Sequence, residues 1–144
     1  MAWKNPVSVL VVIFARDTGR VLMLQRRDDP SFWQSVTGSQ EPGESLMETA
    51  KREVLEELGI DVNARQLTVV DCRRQIQFEI FDHFRHRYAP DVTHNSEHWF
   101  SLALPTEWEI ALSEHLALRW LAPAEAALLT KSWSNRQAIE EFVI

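Results

Sequence analysis

Short apolar stretches separated by turns dominate the chain and predict a sheet-rich protein. Residues 7–15 are apolar except for Ser8, which is the pattern of a strand buried on both faces. Asp17-Thr18-Gly19 then supplies a turn before a second strand at Val21–Gln25. β-Branched runs and alternation predict later extended segments at Gln66–Phe81, Trp99–Leu104, Trp108–Ile110 and Leu116–Leu121.

One helix between these strands is marked at both of its ends. Ser45-Leu46-Met47-Glu48 fits a capping box, so the helix is predicted to start at Ser45. Gly59 is expected to end it, because glycine adopts a left-handed conformation without steric cost. The buried stripe of this helix is predicted to consist of Met47, Ala50, Val54 and Leu58.

The C-terminal part of the chain predicts two more helices. Pro123 fits the first turn of a helix that continues over Ala124–Thr130. Ser134 or Asn135 is expected to cap the last helix. The packing stripe of that helix is predicted to be Ile139, Phe142 and Val143.

The order of these elements predicts the fold class. Strands, one acidic helix, more strands and terminal helices indicate an α/β (α+β) protein, with a mixed β-sheet sandwiched between α-helices. The chain has 144 residues, of which 45% are hydrophobic and 25% are charged. This length and composition fit one globular domain over residues 1–144.

Three carboxylates crowd one flank of the first helix. Glu53, Glu56 and Glu57 lie at helical positions i, i+3 and i+4, so their side chains converge and repel one another. A hard cation such as Mg²⁺ or Mn²⁺ among the oxygens would explain the arrangement. The helix pattern alone leaves a solvated acidic face as an equal alternative.

Net charge and cysteine content limit the expected binding partners and the expected cellular compartment. The net charge of −6 argues against a nucleic-acid surface and against binding to anionic membranes. Cys72 is the only cysteine, which permits no internal disulfide and fits a reducing compartment. The apolar run at residues 7–15 is too short to span a membrane, so the protein is expected in the cytoplasm.

The spacing of residues 38–60 resembles the signature of the Nudix hydrolase family. The matching residues are Gly38, Glu44, Arg52, Glu53, Val54, Glu56, Glu57, Gly59 and Ile60. The resemblance implies the Nudix fold and a metal-dependent enzyme. Such an enzyme would cleave a pyrophosphate bond in a nucleoside diphosphate linked to another group.

The resemblance also implies roles for individual residues. Glu53 and Glu57 would be metal ligands, joined by Glu114 from a later loop and by the Gly38 carbonyl, with Mg²⁺ bound and Mn²⁺ able to substitute. Glu57, Glu56 and Glu114 are the catalytic candidates, and the sequence does not choose between Glu56 and Glu114 as the base. Glu44 and Arg52 would pair to steady the loop against the helix.

Contacts with a small triphosphate substrate are expected outside the signature. Arg26 alternates with apolar Leu22 and Leu24 and is delivered towards the signature, so it is predicted to contact phosphate. Lys4 is a second cation candidate, and Thr37 is placed to line the site. The stretch 83–88 is either a further substrate contact or a polar loop or strand face.

Four further segments resemble the branch of the family that hydrolyses dihydroneopterin triphosphate to the monophosphate and pyrophosphate, an early step towards folate; they are residues 21–30, 32–39, 86–90 and 130–139. In that branch the ring pocket would use Phe78, Glu79, Ile80 and Phe81, with Ser132 near the substrate. A general (d)NTP pyrophosphatase that acts on nucleotides such as dATP is the alternative. A ligand-sensing module without activity is disfavoured, because every signature carboxylate is present. A monomer is favoured.

Overall fold

A seven-stranded mixed sheet forms the centre of the molecule, and the computed structural model describes residues 3–143 of it. The strands are β1 Val7–Ala15, β2 Val21–Arg26, β3 Trp33–Gln34, β4 Val36–Ser39, β5 Val69–Glu79, β6 His94–Leu104 and β7 His115–Leu121. The helices are α1 Leu46–Leu58, α2 Pro123–Leu129 and α3 Trp133–Phe142, with a 3₁₀ helix at Asp82–Arg87.

The strand order explains why the sheet is mixed. The main path runs β3-β2-β1-β6-β5, while β4 pairs with β1 and β7 pairs with β2. The β1–β6 pair is parallel, and every other strand pair in residues 3–143 is antiparallel. The predicted mixed sheet is therefore confirmed.

Strand β1 is apolar throughout because both of its faces are covered. Val9, Val11 and Ile13 pack in one core with Ala50 and Val54 of α1. The alternate residues of the strand pack in a second core against α2 and α3, through Leu10, Val12, Ala126, Ala127, Ala138 and Ile139. Helices thus lie on both faces of the sheet, as the sequence predicts.

Helix α1 has the ends that its sequence predicts. The Ser45 side chain accepts from the Glu48 N–H, and the Glu48 carboxylate accepts from the Ser45 N–H, which completes the capping box. Gly59 ends the helix with φ of 70°, and its N–H donates to the Leu55 carbonyl. The caps fix where the helix begins and ends, and the packing of Ala50 and Val54 in the core orients its carboxylates.

Several sequence-based boundaries are wrong. Residues 36–39 were expected to lead into and open a loop, but they form β4, which pairs with β1 in the register Val9 to Gly38. Trp108–Ile110 has no regular secondary structure. The last helix is capped by Ser132, which accepts from the Asn135 N–H, rather than by Ser134 or Asn135 as expected.

The strands on the far side of the sheet also differ from the prediction. The strand expected at Gln66–Phe81 is shorter, because Gln66 has a left-handed φ of 56° and strand pairing begins at Val69. The strand expected to begin at Trp99 begins instead at His94. Residues 82–87 form a 3₁₀ helix rather than a loop or strand. Among residues 3–143, no helix has the length and apolar character needed to cross a membrane.

Candidate active site

Three carboxylates converge where α1 meets the loop before β7. One oxygen from each of Glu53, Glu57 and Glu114 lies within 4.8 Å of the others. Glu53 and Glu57 are buried, whereas Glu114 is exposed at the edge of the group. Helical spacing brings the first two together, and the connection into β7 supplies the third. We call these three residues the acidic cluster.

The environment of the acidic cluster fits a divalent cation. Burial raises the pKa of Glu57 well above its ordinary value, and neighbouring Glu53 adds to the effect. Burial likewise raises the pKa of Glu53. The Glu57 Oε2 atom is buried and has no hydrogen-bond partner among the described residues. A cation among these oxygens would satisfy that atom and offset the repulsion between the carboxylates.

Gly38 allows the Glu53 carboxylate to reach the sheet. A Cβ atom placed on Gly38 would lie 2.0 Å from Glu53 Cδ and 2.2 Å from its Oε1. No side chain can therefore occupy position 38 while Glu53 keeps this position. The Gly38 carbonyl remains a predicted metal ligand, and the structure places its residue beside the acidic cluster.

Arg52 holds several acidic groups in position around the acidic cluster. Its Nε donates to Glu44 Oε2 at 2.6 Å, and its Nη2 donates to the Ser39 carbonyl at 2.9 Å. Its Nη1 donates to Glu53 at 2.7 Å and to Glu56 at 3.1 Å. The hydrogen bond from Arg52 lowers the pKa of Glu44 to about 2. Arg52 thereby ties the signature loop, strand β4 and helix α1 together.

The two candidate bases have different surroundings. The Glu56 side chain is 44% exposed and lies against Arg52. Glu114 belongs to the acidic cluster itself and lies at its exposed edge. Ser113 donates to the Glu56 carbonyl at 3.0 Å, which ties the loop that carries Glu114 to α1. Neither set of contacts excludes a role as the general base, so Glu56 and Glu114 both remain candidates for it.

His115 is a site residue that the sequence reasoning missed. Its Nε2 lies 3.5 Å from Glu57 Oε1, and its Nδ1 is buried without a partner among the described residues. Burial lowers the pKa of His115 to about 4, with Arg26 contributing in the same direction. The ring is therefore neutral at physiological pH, so it can orient Glu57 without a charge that competes with a cation. Its only sequence signal is its place directly after Glu114.

A cavity of about 470 Å³ lies beside the acidic cluster. Thr37 and Lys4 line both this cavity and the cleft that contains Glu114. Thr37, Gly38 and Ser39 of β4 all line the cavity, and Glu53 of α1 occupies the space that a side chain on Gly38 would need. One strand therefore connects the cavity with the acidic cluster.

Cationic side chains gather where the cavity meets the cleft. Arg26 donates to Asp28 through two nitrogens at 2.7 Å and to Gln34 Oε1 at 3.1 Å. Gln34 in turn donates to the Thr37 hydroxyl at 3.2 Å. Burial lowers the pKa of Lys4, and the positive charge of Arg26 adds to this effect. This arrangement suits a polyanionic ligand.

Aromatic side chains form one wall of the cavity. Phe32 and Phe81 make an edge-to-face pair with ring centroids 5.7 Å apart. The Arg26 guanidinium lies 4.2 Å from the centroid of the Phe84 ring. Phe78 and Ile80 pack in the same apolar group. A flat ring can stack on such a wall.

The remaining predicted contacts also line the cavity. Glu79 accepts from Arg85 at 2.7 Å and is exposed at the rim. Ser132 lines the cavity, and its hydroxyl caps α3 and lies 3.0 Å from that of Ser134. The structure thus brings all eight predicted substrate residues to one cavity; they are Lys4, Arg26, Thr37, Phe78, Glu79, Ile80, Phe81 and Ser132.

The sequence reasoning also missed a polar group at the buried side of the cavity. Ser8, Ser39, Asn95 and Glu97 line it, and we call these four residues the polar floor. Asn95 and Glu97 are only 2% and 4% exposed. The signal was weak because residues 94–98 contain no apolar residue, so this part of β6 did not look like a buried strand.

Gly38→Ala is expected to separate site geometry from fold stability. The new methyl group would displace the Glu53 carboxylate, so Mg²⁺ affinity and turnover should fall by about 100-fold, as for other misplaced catalytic groups. Gly19→Ala is the control, because it has a positive φ of 72° and open space around the added Cβ. It should lower stability by about 1 kcal/mol and leave Mg²⁺ binding unchanged. Calorimetry and thermal melts check both variants; unchanged Mg²⁺ binding by Gly38→Ala would contradict the geometry.

Glu44→Gln is expected to change the acid limb of the stability curve. The pKa of Glu44 is about 2 in the fold and 4.5 as a free side chain, so its stabilising effect is full above pH 4.5 and is lost as pH falls towards 2. The variant should therefore melt below the parent at neutral pH, and the difference should shrink with acidification. Thermal melts from about pH 7 to about pH 3 measure this difference. A difference independent of pH would show that the Glu44 charge is not the cause.

Comparison with known proteins agrees with this geometry. The NUDIX domain family matches residues 4–142. The dihydroneopterin triphosphate diphosphatase of Escherichia coli (strain K12) is 67% identical over 142 residues, covering 99% of this chain and 95% of the relative. The protein of the same name from Haemophilus influenzae is 49% identical over 143 residues, covering 99% and 90%.

A solved structure confirms the predicted fold. The E. coli dihydroneopterin triphosphate pyrophosphohydrolase matches with a TM-score of 0.98 and 66% sequence identity, over 99% of this chain and 98% of that chain. The sheet, the flanking helices and the acidic helix α1 therefore have a known counterpart. With its signature residues assembled and its sequence matched over nearly its whole length, the chain belongs to the Nudix family.

Proposed function

We propose that this Nudix enzyme hydrolyses dihydroneopterin triphosphate to dihydroneopterin monophosphate and pyrophosphate, with Mg²⁺ as its cofactor and Mn²⁺ as a substitute. The observation that carries the proposal is the shared lining of the aromatic cavity and the acidic cluster by β4. A ring in the cavity can extend a phosphate chain along Thr37 to the acidic cluster. The enzyme would act in the synthesis of folate.

The comparisons support this assignment. The prediction of a Nudix pyrophosphohydrolase is confirmed by the family match and by the name of a relative with 67% identity over nearly the full length of the chain. The same name recurs for a relative with 49% identity. The substrate in that name has a flat ring and a triphosphate, which are the two chemistries that the cavity and the acidic cluster accommodate.

Different residues of the site are proposed to carry out different parts of phosphoanhydride hydrolysis. Glu53, Glu57 and Glu114 would hold the metal ion, with the Gly38 carbonyl as a further ligand. When bound, Mg²⁺ balances the negative charge that develops on the phosphate oxygens and the leaving group. Lys4 lines both the cavity and the cleft that contains Glu114, so its positive charge lies beside the path of the phosphate chain.

The remaining chemical task is removal of a proton from the attacking water. A carboxylate next to the acidic cluster can accept it, and both Glu56 and Glu114 have the required position. Arg52 donates a hydrogen bond to Glu56 at 3.1 Å and so fixes the position of its carboxylate. His115 keeps Glu57 oriented while it remains neutral. We propose Glu56 and Glu114 as alternative bases, with Glu57 required as a ligand.

The cellular setting belongs to the same proposal. The net charge of −6 disfavours a nucleic-acid partner, and the single Cys72 suits a reducing compartment. We therefore place the enzyme in the cytoplasm, acting on a small triphosphate, and we further propose that it is a monomer. The second candidate activity is cleavage of nucleoside triphosphates such as dATP, which the same cationic residues and aromatic wall can accommodate.

The proposal is tested by comparing kcat/KM for dihydroneopterin triphosphate with kcat/KM for the eight common nucleoside triphosphates. Preference for the pterin is expected, with pyrophosphate as a product. Glu57→Gln should lose about 1,000-fold or more in kcat, because a metal ligand is removed. Glu140→Gln is the matched control, since Glu140 lies exposed on α3 and should retain parent activity. A parent enzyme that prefers any nucleotide would overturn the pterin assignment in favour of the second candidate.

A further inference from the structure

We propose that Glu97 and Asn95 recognise the 2-amino-4-oxo edge of the pterin ring and so determine which substrate the enzyme selects. The inference rests on the proposed function, because it assigns the ring of that substrate to the buried side of the cavity. It gives Glu97 a role in specificity rather than in the cleavage step. Neither Glu97 nor Asn95 belongs to the signature at residues 38–60.

The polar floor is built by three adjacent strands. Glu97 of β6 lies opposite Ser8 of β1, and Ser8 lies opposite Ser39 of β4. Asn95 lies two residues before Glu97, so both side chains lie on the same face of β6. The four side chains therefore form a continuous polar strip on one side of the cavity, which also has an aromatic wall.

Two atoms of the polar floor are buried without a partner among residues 3–143. They are Asn95 Oδ1 and Ser39 Oγ. The other end of the Asn95 amide donates to Ser8 Oγ at 2.7 Å. Reversing the amide would leave its NH₂ group free instead, so one end lacks a partner in either orientation. Buried polar groups are normally paired, and unpaired ones inside a cavity indicate a ligand that completes them.

Glu97 is a buried carboxylate with no paired cation among the described residues. Its Oε1 accepts from Trp99 Nε1 at 3.0 Å, the Ser134 hydroxyl is a second hydrogen-bonding neighbour of the carboxylate, and each carboxylate oxygen has a further lone pair for a ligand. Burial raises the pKa of Glu97 to about 7. Two further N–H donors would stabilise the ionised form. The group is therefore matched to a ligand that brings adjacent neutral donors.

A dihydropterin has the required donors. Its ring N3–H and 2-amino group are adjacent and can donate to both oxygens of one carboxylate, as a guanidinium does. Adenine has an acceptor nitrogen where the pterin has N3–H, so it would set an unpaired lone pair against the carboxylate. Guanine shares the donor pattern. Glu97 is therefore expected to favour pterin and guanine over adenine.

The surroundings of the polar floor suit the rest of the ring. Phe78 of β5 lies opposite Asn95 of β6 and belongs to the aromatic wall. A ring whose edge contacts Glu97 can therefore stack against aromatic side chains. Ser39 connects the polar floor to Gly38 and the acidic cluster along β4, so the triphosphate can leave the ring in that direction.

The decisive variant is Glu97→Gln, which keeps the shape of the side chain and an oxygen that can accept from Trp99. If Glu97 only holds Trp99 in place, this change should have little effect. If Glu97 accepts from two donors of the ring, the change should weaken binding, because the glutamine amide replaces one acceptor oxygen with a donor. We expect kcat/KM for dihydroneopterin triphosphate to fall by about 100-fold and kcat/KM for GTP to fall in parallel, while that for dATP stays within about threefold. Glu140→Gln is the matched control and should change none of the three.

Binding of the ring alone separates this inference from the proposed function. The parent should bind 7,8-dihydroneopterin, which has no phosphate, and Glu97→Gln should bind it at least about tenfold more weakly. If Glu97→Gln does not fold, Glu97→Asp replaces it as the test. Glu97→Asp keeps the charge but shortens the side chain by one methylene, so it should show the same loss of ring binding. Thermal melts report folding for each variant.

The outcomes are distinct. Selective loss of pterin and GTP turnover with retained dATP turnover supports the inference. Equal losses on all three substrates, or no loss, would overturn it while leaving the proposed function in place. A parent that binds 7,8-dihydroneopterin through Glu97 but does not hydrolyse the triphosphate would retain the recognition site and contradict the proposed function.

Discussion

The site depends on keeping like charges close together. Glu53, Glu57 and Glu114 lie within 4.8 Å of one another, although their mutual repulsion opposes that arrangement. Capping fixes α1, Arg52 binds Glu53 from one side, and the missing side chain at Gly38 lets the same carboxylate approach the sheet. The repulsion lowers the stability of the fold locally, but it leaves the carboxylate oxygens in position before a cation binds.

Strand β4 contributes to two parts of the site, the acidic cluster and the cavity. On β4, the side chains of Thr37 and Ser39 line the cavity, while the side-chain position of Gly38 faces Glu53 of α1. The acidic cluster and the cavity are therefore positioned by the same backbone. A substitution that shifts β4 relative to β1 would disturb both. Under the proposed function, this coupling lets a short chain combine selectivity for a ring with general phosphoanhydride chemistry.

The sequence predicts best what depends on local interactions. The ends of α1 were correct because a capping box and a C-terminal glycine act within a few residues. Strand β4 was missed because its partners in β1 lie almost thirty residues away, and a glycine and two hydroxyl residues carry no apolar alternation. The start of β6 was missed for a related reason, since Asn95 and Glu97 occupy inward positions where apolar residues are usual.

The same distinction applies to site residues. The carboxylates of α1 follow from helical spacing, whereas Glu114 could be named only through family resemblance, because its approach to α1 is a tertiary contact. His115 carries no pattern of its own. Its neutral state results from burial, and the sequence does not state which histidine is buried. Buried polar residues that face a ligand break the patterns by which a core is recognised, so they are the hardest to predict.

The central claim is that the acidic cluster exists to bind a divalent cation. The most direct measurement is an anomalous difference map from crystals soaked in Mn²⁺ with a non-hydrolysable triphosphate. The account predicts a peak within about 2.5 Å of carboxylate oxygens from Glu53 and Glu57, a distance set by the usual lengths of metal–oxygen bonds. Absence of a peak there at saturating Mn²⁺, or a peak only elsewhere on the protein, would contradict it.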